Sequence, residues 1–401
     1  MTLRFPHIFP GHPRRVAFYS HDTQGLGHVR RNIALAAAVV ADDPGAEVLL
    51  LTGNPEATSL PLPARTEVVT LPTVAKAASG GYHSRTLLSP LGFTVSLRRD
   101  ILTAALLGFA PDLLVVDKVP LGFNRELEPT LSRLRTDRRT SVVLGLREIL
   151  DEPAVAIAEW EAMSSSQAVT DYYDAVWVYG DRTVYDVVEE YRLPSEVAAK
   201  IVYTGYLGVG RGDGTTTRRA GTTPPAQPFV LCMVGGGQDG FELAETFVSA
   251  PLPAGHLGVV LTGPFMKEGQ RQRLELLSRS NPGLRILDFV TNPEEFIKQA
   301  AATISMAGYN SVCEVLTANR PTLLVPRTAP RAEQLVRAQR LAARGLVDVA
   351  LPEEIEPAIL GAWLADAVRR TGRPQHLVDL AGLSRIPTLV DVLCGRLAHA
   401  V

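Results

Sequence analysis

The sequence predicts an α/β protein made of two doubly wound, Rossmann-like domains with a cleft between them. Three observations carry this. Runs that are apolar on both faces, such as Leu113-Leu114-Val115-Val116, alternate with helical stretches, the mark of a parallel sheet covered on each side. The alternation breaks at residues 208–228, which begin Gly-Val-Gly-Arg-Gly-Asp-Gly and end near Pro224-Pro225, and then starts again. The 401 residues also exceed what one ordinary core holds.

In chain order, the first half carries strands at 15–20, 47–52, 66–71, 113–117, 141–146, 175–179 and 200–204, with an Ala- and Leu-rich helix at 29–40. Residues 1–207 form the first domain and 208–228 a linker. The second domain, 229–370, repeats the architecture with strands near 229–234, 257–262, 284–288, 302–305 and 321–325, and a helix over 352–370. Residues 371–401 supply last helices that pack back on the first domain.

Composition narrows the function. Hydrophobic residues make up 46% of the chain, enough for well-packed cores. A formal net charge of -2 argues against nucleic-acid binding. Cys232, Cys313 and Cys394 lie far apart with no CxxC pair, which argues against a disulfide framework or structural zinc and fits a reducing cytoplasm. Residues 1–15 hold no long apolar stretch, so they do not read as a signal peptide. No run approaches the roughly 20 apolar residues of a membrane span. Peripheral membrane contact stays open.

Two segments of the second half carry the chemistry. Phe229 to Val234 runs directly into Gly235-Gly236-Gly237-Gln238, and a helix follows from Leu243. Strand, triple glycine and helix make a cradle for phosphates: no side chain blocks the backbone, and the helix dipole favours negative charge. The second segment leads from Ala302-Thr303-Ile304 through Gly308, Tyr309, Asn310 and Ser311 into a helix with Glu314 one turn in. A carboxylate placed there can accept hydrogen bonds from vicinal ribose hydroxyls. Together the two point to a nucleotide held by its phosphates and sugar.

The first half has one comparable loop, Ser20-His21-Asp22-Thr23-Gln24-Gly25-Leu26-Gly27-His28, at the carboxyl end of the first strand, where open parallel sheets bind ligands. His28 opens the next helix and faces the cleft, where a histidine serves as a general base near neutral pH; its rival reading is a helix cap. A dinucleotide fingerprint fails, because Arg30 stands where the third glycine belongs and the second strand ends in Leu51-Thr52-Gly53 without an acid.

On these residues the chain resembles the GT-B glycosyltransferases, and within them the family that includes the bacterial N-acetylglucosaminyltransferase of peptidoglycan synthesis, family 28. The resemblance covers most of the chain and is strongest in residues 229–370. It implies that Gly235, Gly236, Gly237, Gln238, Gly308, Tyr309, Asn310 and Ser311 hold the donor diphosphate. Phe289 and Val290, after Asp288, would pack on the base, and Glu314 would hold the ribose. Glu333 and Gln334 would hold the donor sugar; Arg331 and Arg337 beside them make a surface patch the competing reading. The first domain becomes the acceptor side, with His28 as catalytic base and Gly27, Asp22, Asp117, Arg147 and Glu148 as acceptor candidates, although Arg147 and Glu148 can equally pair with each other. The phrase Ser20 to His28, with Leu146 to Leu150 and Tyr179-Gly180-Asp181, also resembles a set of predicted bacterial glycosyltransferases. The apolar patch by which the peptidoglycan enzyme faces the membrane has no evident counterpart in this sequence.

The function these implications converge on is inverting, metal-independent transfer of a sugar from a nucleotide donor, UDP first, to a hydroxyl or amine. No resident cofactor and no Asp-x-Asp metal loop is expected. Closure of the domains about the linker would exclude water. Two alternatives remain: a nucleotide-sugar epimerase, which would turn over the donor with no acceptor present, and a non-catalytic nucleotide-sugar-binding subunit, in which His28 would be dispensable. The acceptor (small molecule, natural-product precursor or glycolipid) is not read from the sequence.

Overall fold

The computed structural model describes residues 13–22, 25–76, 81–210, 223–288, 290, 292–370 and 377–395. The first half forms a seven-stranded parallel sheet from β1 (Arg15–Ser20), β2 (Glu47–Thr52), β3 (Thr66–Thr70), β6 (Leu113–Asp117), β7 (Ser141–Arg147), β8 (Ala175–Tyr179) and β9 (Ile201–Tyr203), in the order β3-β2-β1-β6-β7-β8-β9. A small antiparallel hairpin, β4 (Val74–Lys76) and β5 (Tyr82–Ser84), stands apart from it. The second half forms a six-stranded parallel sheet, ordered β12-β11-β10-β13-β14-β15, from β10 (Phe229–Met233), β11 (Leu257–Leu261), β12 (Leu284–Leu287), β13 (Ala302–Ser305), β14 (Thr322–Leu324) and β15 (Asp348–Val349). Two doubly wound sheets are therefore present.

The strand orders fix where ligands can go. In each sheet the first strand is followed outward on one side by the next strands in sequence, and on the other by a strand reached through a crossover. The switch points lie between β1 and β6 and between β10 and β13. At a switch point neighbouring loops diverge and leave a crevice at the strands' carboxyl ends. The loop of His28 follows β1 and the loop of Gly235 follows β10.

The cores follow from strands buried on both faces. Val115, Val143, Val230 and Val260 are wholly inaccessible. One hydrophobic cluster runs from Phe18 and Val29 through Tyr206 to Tyr309, Val312 and Leu341, so packing is continuous from one half into the other. The helix Gly382–Leu393 packs on the helix Gly27–Asp42 of the first half, where Asp391 pairs with Arg14 and the Leu393 carbonyl accepts from Ser141 Oγ at 2.9 Å.

Three local features differ from the sequence expectation. The hairpin and β15 have strands of two or three residues, too short to show a period. The stretch 352–370 divides into a single 3₁₀ turn, Pro352–Glu354, and a helix, Pro357–Ala367, because Pro357 is preorganised for a helix start. Tyr82, Leu87, Leu88 and Phe93 are exposed on adjoining segments of the first half, so an exposed apolar surface does exist there, spread thinly enough in sequence to escape notice.

Candidate functional site

His28 is the second residue of the helix Gly27–Asp42, reached through a tight turn in which Gly25 sits at φ +70, a conformation that favours glycine. Its Nδ1 lies 2.8 Å from Oδ2 of Asp117, the last residue of β6. Asp117 is buried and also accepts from Arg31 Nη2 at 2.6 Å. Burial alone would raise the Asp117 carboxyl; the Arg31 guanidinium and the His28 imidazole reverse this and hold it well below the usual carboxylate range. An anionic Asp117 fixes the His28 proton on Nδ1 and leaves Nε2 as the basic nitrogen. Asp117 is thus buried and engaged by His28 and Arg31 rather than open at the cleft surface.

His21 stands beside this pair, its ring centroid 5.6 Å from that of His28. Burial and the neighbouring charge of His28 push it down to about 3, so it is neutral. Asp22 is occupied within the first half. It is buried and accepts from Ser20 and, at 2.5 Å, from Thr52 Oγ1, which fastens the loop to the end of β2. Burial raises its carboxyl, against the pull of His28 and the two hydroxyls.

The donor loops meet at the other switch point. Gly235, Gly236 and Gln238 are exposed at the end of β10, while Gly237 is buried at φ +86, and a Cβ there would lie 2.3 Å from the Thr262 carbonyl oxygen. Only glycine closes that turn. Next to it, Gly308 caps the helix Tyr309–Ala318, with Asn310 and Ser311 half-exposed in its first turn. The first turn of a helix carries N–H groups outside the helix's own hydrogen-bond ladder and the positive end of its dipole, which suits an anion.

The halves meet across the cleft. Asn310 Nδ2 donates to the Gly27 carbonyl at 3.0 Å. Arg30 Nη2 donates to Glu314 Oε1 at 3.0 Å. Glu314 is buried, so it is not a solvated helix residue, and the group expected on the ribose is here engaged by an arginine from the opposite half. Arg331 bridges to Asp151 at 2.9 Å and Glu159 at 2.5 Å.

Several expectations need correction. Tyr309 turns its side chain into the core: it stacks on Tyr206 at 6.1 Å, and the Arg31 and Arg337 guanidinium carbons lie 5.7 and 5.8 Å from its ring centroid, so only its backbone can serve a diphosphate. Glu148 neither faces an acceptor nor pairs with Arg147. Both Glu148 and Arg337 are fully buried, and Arg337 Nε donates to Glu148 Oε1 at 2.7 Å across the two halves. Arg331 and Arg337 consequently form no surface patch. Val290 is buried in the cluster of Leu231, Val259 and Phe296, so its side chain is taken up by the core and does not offer itself to a base. Phe289 lies outside the described residues, as do residues 211–222 of the linker.

Glu333 and Gln334 open the helix Glu333–Ala343 and are buried, contrary to an exposed-face reading. Glu333 Oε1 accepts from Arg327 Nη2 at 2.8 Å, and its Oε2 is buried with no partner among the described residues. Arg147 stays at the cleft, half-buried, with burial and the nearby Arg337 and Arg31 lowering it to about 10.

Sequence reasoning passed over Arg30, Arg31 and His21 as site residues, whereas Lys118, next to Asp117 at the end of its strand, is legible as a residue that could touch the acceptor or form a structural ion pair. Arg31 carried a signal: it follows His28 by three on one helix and so shares its face. The other two become visible only when the elements are set side by side.

Residues 231–376 match the model of the glycosyltransferase family 28 C-terminal domain. A curated protein of Rhizobium johnstonii, UDP-N-acetylglucosamine--N-acetylmuramyl-(pentapeptide) pyrophosphoryl-undecaprenol N-acetylglucosamine transferase, is 26% identical over 175 residues, 42% of this chain and 46% of that protein. The chain therefore aligns with about half the length of that relative. Two solved structures cover nearly all of it: the glycotransferase of kitacinnamycin, with TM-score 0.58, 15% identity and coverage of 96% of this chain and 97% of that one, and MurG of Acinetobacter baumannii, with TM-score 0.53, 14% identity and coverage of 95% and 99%. The fold is that of the GT-B glycosyltransferases.

Proposed function

We propose that this chain, a GT-B protein with a glycosyltransferase family 28 domain in its second half, transfers a sugar from a nucleotide donor to an acceptor hydroxyl or amine, with inversion and without a metal. The observation that carries the reading is the His28–Asp117 pair at one switch point, facing the glycine loops at the other. The acceptor lies on the first half. As its oxygen or nitrogen bonds to the anomeric carbon, its proton passes to His28 Nε2. The bond from that carbon to the diphosphate oxygen breaks on the opposite face, and the electron pair leaves with the diphosphate. Backbone N–H groups of Gly235, Gly236 and Gln238, and the N-terminal dipole of the helix Tyr309–Ala318, meet the growing charge as fixed dipoles. Glu314 serves the ribose, and Glu333 with Gln334 the transferred sugar. Among the described residues no helix is long and apolar enough to cross a membrane; peripheral contact would use the face carrying Leu87, Leu88 and Phe93.

UDP-N-acetylglucosamine, from the name of the Rhizobium relative, is the first donor to test. A thermal-shift screen of nucleotide sugars on the full chain reads donor binding with no acceptor at hand. Ligand at about 100 times its Kd should stabilise the fold by roughly 2.7 kcal/mol. If no nucleotide sugar shifts the melting temperature, the reading fails. Conversion of the donor with no acceptor present would favour the epimerase alternative.

A further inference from the structure

We propose that the acceptor side of the cleft holds an anion pocket, formed by Lys118 and Arg147, that takes a phosphate or carboxylate carried by the acceptor. The proposal rests on the reading of the first half as the acceptor side and adds to it the chemical class of the acceptor. Lys118 directly follows β6 and Arg147 ends β7, and these strands are neighbours, so the two cations stand side by side at the carboxyl edge of the sheet. The Lys118 N–H donates to the Gly145 carbonyl at 2.9 Å, which fastens it to that edge. Lys118 is held at φ +69, a left-handed conformation that disfavours a lysine, next to the aspartate that positions the base.

The charges around this pair are already matched to one another. Arg31 is taken by Asp117, Arg337 by Glu148, Arg331 by Asp151 and Glu159, and Glu333 by Arg327. Among the described residues neither Lys118 nor Arg147 has a carboxylate within ion-pair distance, and Arg147 Nε is buried with no hydrogen-bond partner. Two half-buried cations side by side repel each other and lose solvation. Burial together with Arg147 and Arg331 lowers Lys118 to about 8. An anion seated between them removes both penalties. The planar fork of the guanidinium suits carboxylate and phosphate oxygens alike, with the ammonium as a point charge beside it. Lys118 directly follows Asp117, the partner of His28, so an anion there would hold an acceptor whose nucleophile reaches Nε2.

The test uses the full chain saturated with uridine diphosphate, which keeps the donor loops occupied. The probes are inorganic phosphate and acetate, added at constant ionic strength set with chloride while melting temperature is followed. A saturable rise is expected with one or both, phosphate and carboxylate being told apart by which acts. In Lys118→Met and in Arg147→Met the apparent affinity should fall by roughly 10–150-fold, the scale for a lost charge-assisted hydrogen bond, while Lys118→Arg retains it. Without anion, both methionine variants should melt at or above the parent temperature, since each removes an unmatched cation. No saturable response, an unchanged response in both variants, or a large drop in the melting temperature of both would each overturn the pocket. Comparing UDP-glucuronate with UDP-glucose settles the source of the anion: a loss in Arg147→Met confined to the glucuronate would put the anion on the donor and overturn the acceptor assignment. If uridine diphosphate itself shifts nothing, the donor reading fails, while the anion response and its loss in the variants remain measurable.

Discussion

His28 Nδ1 and Asp117 Oδ2 are 2.8 Å apart although 89 residues separate them in sequence. The fold closes that gap: β1 and β6 are neighbours, so the helix start after one and the carboxyl end of the other meet at the switch point. Arg31, one helical turn beyond His28, binds the same carboxylate and keeps it charged. The imidazole is thereby oriented with Nδ1 engaged and Nε2 in no hydrogen bond among the described residues, the arrangement that the proposed base role requires.

His28→Ala should lower turnover by about 10²–10⁴-fold, the usual contribution of a positioned base. Asp117→Asn should lower it about 10²-fold, because the amide does not fix the Nδ1 proton. Neither change should alter uridine diphosphate affinity by more than a small factor, since the donor loops belong to the other sheet. Steady-state kinetics beside calorimetric binding check this, and near-normal turnover in His28→Ala would remove the base role.

Glu314 is where donor binding and cleft geometry compete. Glu314→Gln should weaken uridine diphosphate binding by roughly 10–150-fold, the scale of a charge-assisted hydrogen bond. Arg30→Met should do the reverse. Its ion pair with Glu314 is partly exposed on the arginine side, so releasing the carboxylate should tighten binding only about 1.5–5-fold. Isothermal titration of both variants decides; tighter binding in Glu314→Gln would refute the ribose role.

In the proposed mechanism fixed backbone dipoles, not a cation, meet the diphosphate, so transfer should persist in excess EDTA. Loss of activity on chelation, restored by Mg²⁺ or Mn²⁺, would refute this part of the mechanism.

Those elements that were legible in the sequence are the ones with local signatures. The apolar runs of β6 and β10, the triple glycine at 235–237 and the Gly308–Glu314 segment announce themselves within ten residues. Pairings across the cleft do not. Nothing near Glu148 shows that its partner is Arg337, nor does anything near Glu314 show that Arg30 reaches it, because both depend on how two sheets face each other. Tyr309 and Val290 were misjudged for a related reason: membership of a loop was legible, but which way the side chain turns is decided by packing against Tyr206 or Leu231.

The Glu148–Arg337 pair gives a stability prediction. Both side chains are fully buried, and Arg337 also donates to the Ala307 carbonyl at 3.1 Å, so the pair ties β7 of the first half to two segments of the second. Glu148→Gln or Arg337→Met alone leaves one charge uncompensated, which costs about 3–5 kcal/mol. Replacing both partners with apolar residues should cost less than either single change. Chemical denaturation of the two single variants and the double variant measures the coupling; additive losses would show that the two do not act as a pair.

Lys118 gives the pH dependence. In the folded chain burial, then Arg147 and Arg331, lower it to about 8, while Glu159 and Glu333 act the other way without cancelling this; unfolded, a lysine titrates near about 10.4. Below about pH 8 both states are protonated, and the folded state carries the full penalty of the buried charge. Between about pH 8 and 10 the unfolded chain binds more protons than the folded one, so this residue's contribution to stability rises with pH. Lys118→Met has no such group. Its gain in melting temperature over the parent should therefore be largest near pH 7 and should shrink as the pH is taken through about 8 to 10, other titrating groups being common to both proteins. A gain independent of pH would mean that Lys118 is unperturbed, and a gain that grew with pH would mean that its charge stabilises the fold.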